Sequence, residues 1–187
     1  MAVSREQILD AAIRHLNASP TASMAQIAEA AGISRATLHR HFSSRDDLVI
    51  ELGRRALDRW ERAQDEAGID GADDDPAHLR ETLMALIEGE VGVAEEHGFT
   101  LTVETTSEEL VARSMELERR ELALIEACQR AGVLRSDLPA VWVSSTVYGL
   151  LVALRESLRR GEIAPREATR LMVESFLRGA SNKGDQS

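Results

Sequence analysis

Four serines in the first 44 residues each stand where a helix must begin, and that spacing leaves the stretch few ways to fold. Ser4-Arg5-Glu6-Gln7 and Ser23-Met24-Ala25-Gln26 both have the capping-box pattern. In it the serine oxygen accepts an amide three residues on and the glutamine side chain reaches back. Ser34 and Ser44 supply two further N-caps, before Arg35 and Arg45. Pro20, within Asn17–Ala22, ends the first helix, with Ile8, Ala12 and Leu16 on its apolar face. Gly32 ends the second, because a tight turn between helices needs a residue that accepts the left-handed conformation. The middle two helices are too short to persist alone and must pack together. Ile27, Ala31, Ile33 and Leu38 are the residues placed to do so, with Ala28 small enough to let the two approach closely.

The rest of the chain continues in helices. The fourth runs from Ser44 to about residue 66, and GIDGADDD (68–75) is a loop. Asp75-Pro76 is an N-cap followed by proline at the first helical position, opening a helix to about residue 95. Residues 98–106 are a short helix or irregular link. Further helices are expected from Thr106–Glu109 to Arg130, from Leu138-Pro139 to Arg160, and from Ala164-Pro165 to Gly179. This is an all-α chain of about nine helices, divided into a head (1–48), a helical body (49–180) and a disordered tail (181–187).

Charge divides along the same line. The whole chain carries −10, which taken alone argues against a nucleic-acid partner. Residues 1–62, however, hold nine arginines against eight acids (+1), while the remainder holds thirteen basic and twenty-four acidic residues (−11). A small basic reader on an acidic body is therefore allowed. With aromatics at 3%, stacking of single-stranded bases is not. The outward positions of the third helix are Arg35, Ala36, Thr37, His39, Arg40 and His41, rich in donors and free of acids. That composition suits a major groove, and the capped helix starts at Ser23, Ser34 and Ser44 suit phosphates.

Residues 34–48 (SRATLHRHFSSRDDL) resemble the signature of the TetR family of bacterial transcriptional regulators, and the likeness extends over residues 4–52. The resemblance implies a helix-turn-helix head reading a pseudo-palindromic double-stranded DNA operator. Ser34, Arg35 and Thr37 would lie at the groove-facing start of the recognition helix, Ser23 would cap against phosphate, and Arg45 would be a phosphate anchor. His39, Arg40 and His41 complete that face. His39 stands where the family usually has tyrosine. The resemblance also implies a homodimer formed by the last two helices. Val143, Val147, Tyr148, Leu151, Leu154 and Leu158, with Met172 and Phe176, are the expected seam, since the penultimate helix is apolar on two sides. It further implies a small-molecule cavity in the body, for which Trp60, Met84, Ile87, Phe99, Met115 and Trp142 are the soft or aromatic candidates. The body has no excess of basic residues, so a lipophilic or weakly cationic effector is expected over an anionic one.

Other chemistries find little support. His39 and His41, two apart on a helix, point in different directions and do not pair on a metal. His78 and His97 are solitary, no Glu-x-x-His pair suggests a di-iron site, and Asp73-Asp74-Asp75 lacks calcium-loop spacing. Cys128, the sole cysteine, reads as a small core residue. No nucleophile–base pattern, cofactor motif, membrane span or signal peptide is present, so a cytoplasmic non-enzyme is expected. The rival to a repressor is a protein-interaction module using the acidic body; an activator would use the same DNA contacts.

Overall fold

A computed structural model describes residues 3–181 apart from 73, 104 and 106. Among these, eight α-helices follow in order: α1 (Arg5–Ala18), α2 (Met24–Ala30), α3 (Arg35–His41), α4 (Arg45–Ala67), α5 (Pro76–His97), α6 (Glu108–Arg130), α7 (Ala140–Arg160) and α8 (Ala168–Ala180). The link expected after residue 97 is the 3₁₀ turn Gly98–Thr102, and shorter 3₁₀ turns cover Ile69–Gly71 and Pro165–Glu167. Both expected capping boxes form. Ser4 Oγ accepts the Gln7 amide and Ser23 Oγ that of Gln26, and each glutamine returns the bond to its serine's amide. Gly32 takes φ +67° at the α2–α3 turn.

Two apolar clusters organise the chain. The head core joins Ile8, Leu9 and Leu16 of α1 to Ile27, Leu38, Phe42, Leu48 and Leu52. It thus runs past residue 48 along α4, and it also takes in Phe99 from the 3₁₀ turn that follows α5. The body core gathers Leu79, Leu83 and Ile87 of α5, Leu124 and Cys128 of α6, and the inward faces of α7 and α8. Burial pushes the Cys128 thiol up to about 11, as befits a core residue rather than a reactive one.

The long helix α4 joins the two clusters: Leu48 and Leu52 lie in the head core, whereas Ala63 and Gln64 are buried in the body. It crosses α5 at close range, since a Cβ at Gly89 would lie 2.8 Å from Ala63 Cβ. Arginines on the facing helices lace α4 to α6, through Arg54–Glu109 (2.6 Å), Arg113–Glu61 (2.8 Å) and Arg120–Asp65 (2.7 Å). Of the expected tail, Ser181 is held in an antiparallel bridge with Leu134 instead of being free, and residues 182–187 lie outside the described residues. Asp73 of the acidic loop does too.

Candidate nucleic-acid interface and ligand cavity

Helix α3 buries only Leu38 and turns Arg35, Ala36, His39, Arg40 and His41 to solvent. Its polar residues hold one another in place. Ser34 Oγ accepts the Thr37 amide at 3.1 Å and lies 2.9 Å from the Thr37 hydroxyl, which accepts from Arg40 at 3.1 Å. Arg35 Nε donates to His39 Nε2 at 3.4 Å, a bond that requires the neutral imidazole.

Four of the other seven arginines of residues 1–62 are held in ion pairs. Arg5 pairs with Glu51, Arg54 with Glu51 and Glu109, Arg55 with Glu6 and Asp10, and Arg59 with Glu96. By contrast, Arg35 and Arg40 make no ion pair among the described residues. Two of the unpaired arginines thus stand together on the exposed, acid-free face of α3. Arg45, the expected phosphate anchor, has partners within the chain. It is half-buried, donates to the carbonyls of Pro20 (2.9 Å) and Ala22 (3.4 Å), and lies over the Phe99 ring at 6.0 Å. The carbonyls left open where proline ends α1 are what capture it.

Below the head, a cavity of about 450 Å³ opens among α4, α5, α6, α7 and the segment after α5. Its wall is mainly apolar (Val49, Ala56, Leu57, Val93, Leu110 and Leu151 among others), with Trp60 and Tyr148 as its aromatic residues. Three carboxyl groups interrupt that wall: Glu118, exposed at its edge, and the buried pair Glu90 of α5 and Glu121 of α6, 6% and 7% exposed. Glu121 accepts from the Trp60 indole N–H and, at 2.9 Å, from Gln64 Nε2, which also donates to the Leu117 carbonyl at 2.9 Å. Burial raises Glu90 well above the usual carboxylate range, with the Glu121 charge adding to it. Burial also raises Glu121, opposed by the hydrogen bonds it receives from Glu90, Gln64 and Trp60.

The head matches the family model of bacterial regulatory proteins, tetR family, over residues 8–52. The likeness extends through the body. The chain is 30% identical over 169 residues to the HTH-type transcriptional regulator NfxB of Pseudomonas aeruginosa, covering 87% of each. The chain belongs to the TetR family. It is accordingly a DNA-binding transcriptional regulator with a helix-turn-helix head, and not an enzyme. The HTH-type transcriptional repressor LfrR of Mycolicibacterium smegmatis is 28% identical over 162 residues, 84% of this chain and 80% of that one. The crystal structure of LfrR in complex with proflavine superposes with a TM-score of 0.65 at 26% identity, covering 94% of both chains.

In this TetR-family chain the residues expected to line a cavity separate. Trp60 does line it. Met84 and Ile87 pack into the body core, and Phe99, 1% exposed, belongs to the head core. Met115 and Trp142 are 64% and 61% exposed. Softness marks a residue as buried or adaptable but does not say which void it faces. The expected dimer seam is corrected in the same way. Val143, Val147, Leu151, Leu154, Met172 and Phe176 are buried within the one chain, and Leu158 is half-buried against the same core. Val147 and Leu151, with Tyr148, also form cavity wall. Only Tyr148 of that group is exposed, its hydroxyl donating to the Leu101 carbonyl at 2.5 Å. Of the two apolar faces on α7, the one bearing Val143 to Leu154 turned inward. The other leaves Val141 and Trp142 open.

Glu90, Glu121 and Gln64 were missed, although a signal existed. Glu90 continues the stripe Leu83–Leu86–Ile87 toward Ala94, and Glu121 lies between Leu117 and Leu124 on the buried face of α6. An acid at a core register position is costly without a purpose or a partner. Asn17 was missed as well. Its side chain donates to the Glu96 carbonyl at the end of α5 (2.9 Å) and accepts the Phe99 amide (2.8 Å).

Proposed function

We propose that this regulator is a cytoplasmic, ligand-responsive repressor that binds a pseudo-palindromic operator as a homodimer. In this reading residues 1–48 are the DNA-binding head and 49–180 the effector-binding and dimerisation body. The observation that carries the DNA face is the exposed face of α3: Arg35 and Arg40 stand there together without ion pairs and with no acid on the helix, while Arg5, Arg54, Arg55 and Arg59 are paired. Arg35 would read base edges from the start of α3. Arg40, His39 and His41, with Ser23, Ser34 and Thr37, would meet phosphates and adjoining edges. Arg45 supports the face from behind. Two such heads on a dyad would address half-sites about 34 Å apart or a multiple of that.

The dimer would form through the outward faces of α7 and α8, which pack on each other. On α7 the exposed Trp142, Ser145, Gly149 and Ala153 share one side, apolar or small enough for a close helix partner. The effector would be a small lipophilic or weakly cationic molecule in the cavity, and the solved complex of LfrR with proflavine supports an aromatic compound of that size. Signal transfer has a short route. Thr100 and Leu101 line the cavity, while Phe99 beside them sits in the head core. A ligand that displaces this turn or α4 changes the separation of the heads.

Selection of bound fragments from sheared genomic DNA tests the proposal. Enrichment of one inverted repeat, reversed by a compound that occupies the cavity, is the expected result. A folded protein that enriches nothing over a range of salt would overturn it.

A further inference from the structure

Acids inside a hydrophobic wall are the least explained feature of the molecule. Glu90 and Glu121 come from different helices, both more than nine-tenths buried, and both line the same cavity. Two bare carboxylates so close in an apolar surround repel strongly, so the pair keeps a proton: the Glu90 carboxyl hydrogen-bonds to that of Glu121. Glu121 in turn is the better solvated of the two, receiving the Trp60 indole and the Gln64 amide, which favours its charged form. One negative charge remains, with no arginine, lysine or histidine among the cavity-lining residues to offset it.

The other groups facing the pair do not supply a positive charge either. From α4 come Trp60 and Gln64, neither titratable near neutrality. From α6 comes Glu118, exposed at the cavity's edge, and from α7 the hydroxyls of Ser144, Ser145 and Tyr148. Gln64 is fully buried and its amide sits on Glu121, yet its Oε1 has no hydrogen-bond partner. The cavity therefore presents a carboxylate, with the Trp60 indole and the Tyr148 phenol as aromatic faces suited to a cation.

We propose that the cavity is built for a lipophilic monocation, whose charge is met by the single negative charge of the Glu90–Glu121 pair. Glu121 is the carboxylate that faces the cation, and Glu90 is the acid that keeps its proton and donates to Glu121. The cation thus enters without net exchange of protons at neutral pH. Acid conditions that protonate Glu121 remove the counter-charge and close the site to cations. Because Trp60 and Gln64 reach Glu121 from α4, the helix that continues directly from the head, the counter-ion is also a hydrogen-bonded link to the DNA face. This inference rests on the reading of the body as an effector domain.

A matched pair of probes tests it: methyltriphenylphosphonium and triphenylphosphine oxide, alike in size and aromatic area but differing in charge. Binding is followed by calorimetry in buffers of different ionisation enthalpy. Wild-type protein is expected to bind the cation at least about tenfold tighter than the oxide near pH 7.5, with no net proton released, and to lose about tenfold per pH unit once Glu121 protonates. Glu90→Gln keeps the preference, since an amide donates as the protonated acid does. In Glu121→Gln the cation binds at least about tenfold more weakly and expels close to one proton, drawn from Glu90. The double variant, checked for helicity by circular dichroism, binds both probes alike. Equal binding of the two probes by wild type, or a cation preference that survives in the double variant, would overturn the proposal. If the oxide binds and releases the selected operator fragment as well as the cation does, the charge assignment falls and the effector reading stands. If neither probe binds or alters DNA affinity, both fall.

Discussion

The Asn17 side chain accepts the backbone N–H of Phe99 at 2.8 Å while donating to the Glu96 carbonyl at 2.9 Å. One residue at the end of α1 thereby caps α5 and holds the turn that carries Phe99 into the head core. Replacing it with alanine leaves both backbone groups without their partner. The expected cost is about 1–3 kcal/mol of stability, and hydrogen exchange at the Phe99 amide should accelerate. DNA affinity without effector should stay within about threefold, a change under 1 kcal/mol, while release by effector weakens. Unchanged exchange at Phe99 would show that the link transmits nothing.

Arg35, Arg40 and Arg45 should separate in a salt titration of operator binding. Arg40→Ala is expected to weaken all sequences and reduce the slope of log affinity against log salt by about one unit. Arg35→Ala should lose about 1–3 kcal/mol of discrimination between the operator and a scrambled duplex. Arg45→Ala should leave the slope unchanged and instead destabilise the head by about 1–2 kcal/mol, because its bonds go to the Pro20 and Ala22 carbonyls. A slope lowered in Arg45→Ala would place it on a phosphate after all.

Glu90 sets a pH dependence of stability. Burial and the neighbouring Glu121 charge hold its carboxyl well above the usual range, so the fold favours the neutral acid. Its contribution is intact below the usual carboxylate range and is lost as pH rises through the raised value. Glu90→Gln does not titrate. Its Tm should match wild type near about pH 5 and exceed it increasingly toward about pH 8. A variant less stable than wild type at the higher pH would mean that Glu90 is ionised in the fold.

Gly149 isolates the dimer interface from the fold. An added Cβ there meets nothing within 4 Å in the single chain, and the residue lies mid-helix on the exposed side of α7. Gly149→Glu should therefore preserve or raise helix stability, by up to about 0.5–1 kcal/mol, while the charge prevents a second α7 from closing. Sedimentation should shift from dimer to monomer, with operator affinity falling in parallel. A dimer that persists would place the interface elsewhere.

Local features of the sequence carried a great deal. Capping serines, Gly32 and the outward arginines of residues 34–48 are short-range signals, and the structure keeps the helix starts they specify. The cavity was less legible. Met84, Ile87 and Phe99 have the composition of a lining residue but fill cores, because apolarity fixes burial without fixing which void a side chain faces.

What the sequence determined by itself is the all-α class, the helix boundaries and the family-specific head, since each depends on residues within one or two helical turns of one another. Tertiary structure decided the rest. It turned one apolar face of α7 inward and left the other open, and it paired four arginines of residues 1–62 with acids while leaving Arg35 and Arg40 of α3 unpaired. It drew Arg45 onto the carbonyls of the α1–α2 turn, and it brought Glu90 and Glu121 together from helices whose residues are some thirty positions apart. Those outcomes depend on which long-range partners a side chain meets, and a charge or an apolar face acquires its role only from that partner.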